Sequence, residues 1–214
     1  MHDFSQIKGG HLVAKNREFG NRRLHSLLGV IPIGLFLIFH LSVNFMATKG
    51  EETFNGAVNL IEYAPLLILL EWVVIYLPLI FHAVYGIYIA FTAKNNLGKF
   101  GYFRNWMFML QRLSGIITLI FLVWHIWQTR VQKALGETVD FDMMAEIFSN
   151  PFMIGFYIVG ILSAIFHFAN GLWSFAVSWG LTVSPKSQRI MTYVTLIIFV
   201  LLSYIGISAV FAFV

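Results

Sequence analysis

Five long, almost uncharged runs dominate the chain, and each exceeds the roughly 18–20 residues that a helix needs to cross a bilayer. They extend from Leu24 to Ala47, Ala64 to Ala93, Trp106 to Trp127, Pro151 to Leu181 and Ile190 to Val214. Arg23 and Lys49 bracket the first, Glu71 and Pro78 interrupt the second, Arg112 lies near the start of the third, and the last two carry no charge. Hydrocarbon offers no partner to a backbone N–H or C=O, so segments of this kind span as helices, however many β-branched and aromatic residues they hold. The expected fold class is an all-α integral membrane protein with five transmembrane helices. Only 11% of residues are charged, against roughly 25% in a soluble domain, which leaves no room for a soluble catalytic domain. Residues 1–23 read as a polar cytoplasmic segment and residues 24–214 as a single membrane domain.

Orientation follows from lysine and arginine. The amino-terminal tail and the loops after spans two and four hold ten basic residues, while the other two loops hold three, mixed with acids. The expected topology puts the amino terminus in the cytoplasm and the carboxyl terminus outside. Because these basic residues flank spans, the net charge of +4 is no signal for nucleic acid. The absence of cysteine excludes disulfides, cysteine-ligated iron–sulfur clusters and covalent haem attachment. The amino terminus lacks an apolar core, so it does not read as a cleavable signal peptide.

One histidine lies well inside each of the first four spans: His40, His82, His125 and His167. An ionisable group inside a bilayer is costly and defaults to a functional reading. Counting helical rise from the cytoplasmic ends puts His40 and His125 roughly 24 and 28 Å deep, and His82 and His167 roughly 17 and 18–20 Å deep. Depth therefore couples His40 with His125 near the outer face and His82 with His167 nearer the inner face, the pairs about 10 Å apart. Two levels of paired imidazoles suit two bis-histidine haems forming part of a four-helix bundle. Structural zinc instead needs four close ligands, often including thiolate. Ile80 to Gly86 and Ile165 to Gly171 share the pattern I-F-H-x-x-x-G. A glycine four residues from the ligand shares its helix face, where it would leave room for a flat macrocycle. His2 and His11 read as solvated residues of the tail.

Other polar residues have two readings each. Arg22, Arg23, His25, Arg112 and Ser114 at the inner boundary offer donors to haem propionates or a quinone carbonyl, although an arginine there can equally snorkel to headgroups. Glu71 and Glu62, at the outer end of span two, are candidates for an outer proton relay, or simply acids favoured at a helix start.

Four segments carry a family resemblance: R-R-L-H-S-L-L-G-V-I-P (Arg22 to Pro32), H-A-V-Y-G-I-Y-I-A-F-T-A-K-N-N (His82 to Asn96), Q-R-L-S-G-I-I-T-L-I-F (Gln111 to Phe121) and F-H-F-A-N-G-L-W-S-F-A (Phe166 to Ala176). The chain resembles the cytochrome b membrane-anchor subunit of succinate:quinone oxidoreductase, in its Gram-positive type with five spans and two haems. That resemblance implies that the four histidines are axial ligands of two haem b groups. It also implies a flavoprotein (FAD) subunit and an iron–sulfur subunit on the cytoplasmic face, location in the bacterial cytoplasmic membrane, and electron transfer to a quinone, menaquinone in Gram-positive members. The succinate site would lie on a partner, not in this chain. A quinol:fumarate reductase uses the same architecture in the other direction. A haem-free transporter with histidine proton relays is a rival from another class, disfavoured by the lack of mid-membrane carboxylates and broken helices.

Overall fold

In the computed structural model, described for residues 4–94 and 97–214 with side chains from 17 onward, every regular element is helical. His2 and His11 lie outside the described side chains. Five helical stretches are long and apolar enough to cross a membrane: Arg17–Lys49, Leu67–Thr92, Phe103–Ala134, Pro151–Ser178 and Pro185–Ala212.

Their ends depart from the hydropathy boundaries for local reasons. Span five starts at Pro185 rather than Ile190, because Ser184 and Ser187 form a reciprocal capping box and proline suits the first helical position. Span four starts as expected at Pro151, capped by the Asn150 side chain on the Phe152 N–H. It stops at Ser178, short of Leu181, where Gly180 takes φ +75° and the N–H groups of Leu181 and Thr182 turn back to the Ala176 carbonyl. Span two starts only at Leu67, after Pro65 and a left-handed Leu66 (φ 58°). Span one is interrupted at Ile31, before Pro32, which has no N–H to continue the ladder. Wide π-helical turns occur at Glu71–Tyr76, just before Pro78, and at Trp127–Val131, just after His125.

Two further helices, Glu51–Glu62 and Phe141–Phe148, fill the loops that the sequence leaves unassigned. Gly50 (φ 103°) turns the chain from span one into the first, and Asp140 caps the second through the Met143 N–H. Both are amphipathic and turn apolar faces inward. Phe54, Met144 and Phe148 join Ala47, Phe121, Tyr157, Val210 and Phe213 in one buried cluster. This cluster closes the distal end of the bundle, the end that carries the chain's carboxyl terminus. The proximal end carries residues 17–25 and the short connections between spans two and three and between spans four and five.

Span four packs most extensively, against spans three and five, and spans one and two pack together. Span five, which carries no histidine, closes one side by burying Leu202 against Leu41 and Ile165. Most large apolar side chains elsewhere point outward, as suits lipid contact.

Candidate functional site

The four span histidines meet in two pairs. His40 of span one and His125 of span three have ring centroids 5.8 Å apart at 73°, and His82 of span two and His167 of span four have centroids 6.0 Å apart at 90°. A metal bonded at about 2.0–2.1 Å to one nitrogen of each ring separates two imidazole centroids by about 6 Å. Both pairs therefore have the spacing of bis-imidazole coordination. Among the described residues, no three His, Asp or Glu side chains converge as a tetrahedral zinc site requires. His82 rests on span one at Gly29, eleven residues before His40, and His167 rests on span three at Gly115, ten residues before His125. The two levels are thus about 15 Å apart along the helices. That exceeds the 10 Å or so counted from hydropathy boundaries, because spans one and three begin before their inner boundaries while spans two and four end short of theirs.

The proximal pair is held by backbone. His82 Nδ1 donates to the His25 carbonyl at 2.9 Å, and His167 Nδ1 donates to the Gln111 carbonyl at 2.9 Å. With Nδ1 protonated, the Nε2 lone pair is left for a metal. Each accepting carbonyl lies four residues before a glycine, where no Cβ screens it. A Cβ at Gly29 would sit 2.5 Å from His82 Cε1, and one at Gly115 would sit 2.9 Å from His167 Cε1. The glycines that the sequence singles out do something else. A Cβ at Gly86 would meet His25 Nε2 at 3.2 Å and one at Gly171 would meet Gln111 Nε2 at 3.2 Å, so these positions admit the neighbouring helix's side chain. His25 also stacks on His82 with centroids 4.0 Å apart. Gln111 Nε2 donates to the His167 carbonyl at 2.9 Å, and Asn170 Nδ2 donates to Gln111 Oε1 at 2.7 Å. Ser114 Oγ donates to the Gln111 carbonyl and lies 3.5 Å from His167 Nδ1.

Aromatic side chains hold the distal pair. Phe36 stacks on His40 and Phe121 on His125, each one helical turn before its histidine. Gly160 seats Phe121, since a Cβ there would lie 2.2 Å from the ring. His125 Nδ1 lies 3.3 Å from the Tyr157 hydroxyl, which donates to Gln128 Oε1 at 3.2 Å and so can accept from the imidazole. Tyr157, only 2% exposed, belongs to the distal cluster. The Asn44 amide donates to the His40 carbonyl at 2.9 Å and lies 3.4 Å from His40 Nε2.

The charged candidates are engaged with protein. Arg22 pairs with Glu18 at 2.8 Å. Arg23 reaches the Ser178 carbonyl at 3.5 Å and lies over the Trp179 ring. Arg112 donates to the Ala93 carbonyl at 2.8 Å and lies over Phe108, its Nε buried without a partner. Glu71 accepts from both Nε and Nη2 of Arg130, and Glu62 pairs with Lys133. Glu62 lines a groove of about 900 Å³ with Leu66, Trp72, Arg130 and Lys133 at the distal end of span two, and Glu71 reaches it only through Arg130. Sequence reasoning missed Gln111, Asn170, Tyr157 and Gln128. Polar side chains within runs otherwise apolar were the available signal for them.

Fold and site together define a class: a five-span helical membrane protein bearing two imidazole pairs at separate levels. The family model for the succinate dehydrogenase/fumarate reductase transmembrane subunit matches residues 92–206. The succinate dehydrogenase cytochrome b558 subunit of Bacillus subtilis (strain 168) is 65% identical over 199 residues, covering 93% of this chain and 98% of that protein. The chain belongs to the succinate dehydrogenase/fumarate reductase transmembrane subunit family.

Proposed function

We propose that this chain is the diheme cytochrome b subunit of a succinate:menaquinone oxidoreductase in the bacterial cytoplasmic membrane. It anchors a flavoprotein (FAD) subunit and an iron–sulfur subunit at its proximal, cytoplasmic end, and its carboxyl terminus faces outward. The 5.8 and 6.0 Å separations of the two imidazole pairs carry this reading. His82 and His167 would hold an inner haem b and His40 and His125 an outer one. When bound, these groups supply one-electron carriers that link the iron–sulfur partner to quinone.

The chain's own residues orient and insulate. The His25 and Gln111 carbonyls fix the tautomer of the inner imidazoles, and Tyr157 does so for His125. Phe121, Phe148 and Phe213 exclude water from the outer pair. Arg22, Arg23, His25 and Arg112 supply donors at the inner boundary for propionates or a quinone carbonyl, whereas Ser114 gives its hydroxyl proton to the Gln111 carbonyl. Glu62 on the distal groove and Glu71 beside it, each held by a basic partner, are the carboxylates placed for an outer proton relay.

A reduced-minus-oxidised spectrum with a haem assay on the purified complex tests the reading. Two haem b per chain are expected, and replacing His82 or His125 by leucine should each remove a different one. Absence of haem, one haem per chain, or loss of the same haem from both variants would overturn it.

A further inference from the structure

Spans one and two repeat the contact that spans three and four make. Four positions are each followed, four residues on, by glycine: His25 and Gly29, His82 and Gly86, Gln111 and Gly115, His167 and Gly171. Residues four apart share a helix face. In the first half, His82 fills the notch at Gly29 while His25 fills the notch at Gly86. In the second, His167 fills the notch at Gly115 while Gln111 fills the notch at Gly171. In both halves the histidine's Nδ1 donates at 2.9 Å to the carbonyl of the residue that fills the opposite notch. His25 and Gln111 thus occupy equivalent places in two copies of one clasp.

A ring held at its Cβ and by a directed Nδ1–H···O=C bond has no freedom about its last torsion. The two clasps come from different helix pairs, and they leave the rings of His82 and His167 at 90°. We propose that Gly29 and Gly115, with Gly86 and Gly171 in support, are positioning residues that set the crossed orientation of the inner imidazoles. The inference rests on the diheme reading above. It extends that reading from which residues ligate to what fixes the angle between them.

The test is an alanine series in the complete membrane-bound complex. Its readouts are the low-spin EPR anisotropy, which reports the angle between axial imidazole planes, and the midpoint potential of each haem. Gly29→Ala and Gly115→Ala should change the inner signal most, their Cβ atoms falling within 3.0 Å of the imidazole. Gly86→Ala and Gly171→Ala, at 3.2 Å from His25 and Gln111, should change it less. Gly155→Ala, with open space around it, should leave it unaltered. The outer signal should persist throughout and so report a folded chain. His25→Gln, which copies the other half, should retain the inner signal. Wild-type complex lacking two haems would overturn the diheme reading, and this inference with it. Two haems in the wild type, with an unchanged inner signal in Gly29→Ala and Gly115→Ala, would overturn this inference alone. So would equal disturbance of both haems, which marks a general packing role.

Discussion

On the proposed diheme reading, replacing Tyr157 by phenylalanine should raise the potential of the outer haem and leave the inner one in place. The hydroxyl donates to Gln128 Oε1, so its oxygen is turned toward His125 Nδ1, 3.3 Å away. An acceptor at Nδ1–H makes the imidazole a stronger donor to the metal and so stabilises the oxidised state. Its removal also takes away a dipole whose negative end faces a site that is more positive when oxidised, and both effects favour reduction. A hydrogen bond of this kind is worth about 0.5–1.5 kcal/mol, which for a one-electron couple is roughly 20–60 mV. The length of the contact places the expectation in the lower half of that range. Phenylalanine keeps the ring in contact with Phe121 and Phe148, so the distal packing survives the change. Redox titration of the purified complex, resolving the two haems by their α-bands or EPR signals, measures the shift. An outer potential that falls or stays fixed, or an equal rise in both potentials, would refute the assignment of Tyr157 as acceptor.

Two other expectations test the distal cap and the direction of transfer. Phe148→Ala empties a site that is 2% exposed against Tyr157 and Phe213, and should destabilise the chain by about 3–5 kcal/mol, read as a lower midpoint in detergent thermal denaturation. If electrons enter at the proximal end and leave at the distal end, each crosses the membrane field, worth about 2.3 kcal/mol per charge per 100 mV. Collapsing the potential in intact cells should therefore slow succinate:menaquinone activity, and an unchanged rate would exclude transmembrane transfer.

The spans were legible because charge is so costly in lipid that its absence marks them. Several of their ends were less so, since Ser184 and Gly180 act through local hydrogen bonds and φ rather than through hydropathy. The helices Glu51–Glu62 and Phe141–Phe148 were hidden because each is short and its apolar face gains meaning only against Tyr157 and Phe213 across the chain. Among the site residues, a histidine in an apolar run was visible on its own terms. The partners of those histidines were not. That Gly29 faces His82 while Gly86 faces His25 depends on the register between two helices, and one helix's periodicity carries no information about its neighbour's register. Glu71 and Glu62 likewise looked like free acids until the π-helical turn at Trp127–Val131 brought Arg130 and Lys133 over them.

Charge is handled differently at the two ends, and this bears on how the histidine pairs would work. At the distal end Arg130 and Lys133 are each matched to a glutamate, and Glu51, Glu52, Glu137, Asp140, Asp142 and Glu146 outnumber the remaining base, Lys49, so that end is net negative. At the proximal end Arg23 lies over Trp179, Arg104 over Trp173 and Arg112 over Phe108, contacts that orient a guanidinium without neutralising it. Among the proximal arginines described, Arg22 is the one with an ion pair, to Glu18. The uncancelled cations suit the positive-inside rule and an acidic partner surface. They would also stabilise an added electron more at His82 and His167 than at His40 and His125, so on the proposed diheme reading the proximal haem should hold the higher potential. Onward transfer to the distal pair is then uphill within the protein. A membrane potential, positive outside, acts on the electron in the direction needed to offset that step, which ties the uncoupler experiment to the placement of these arginines.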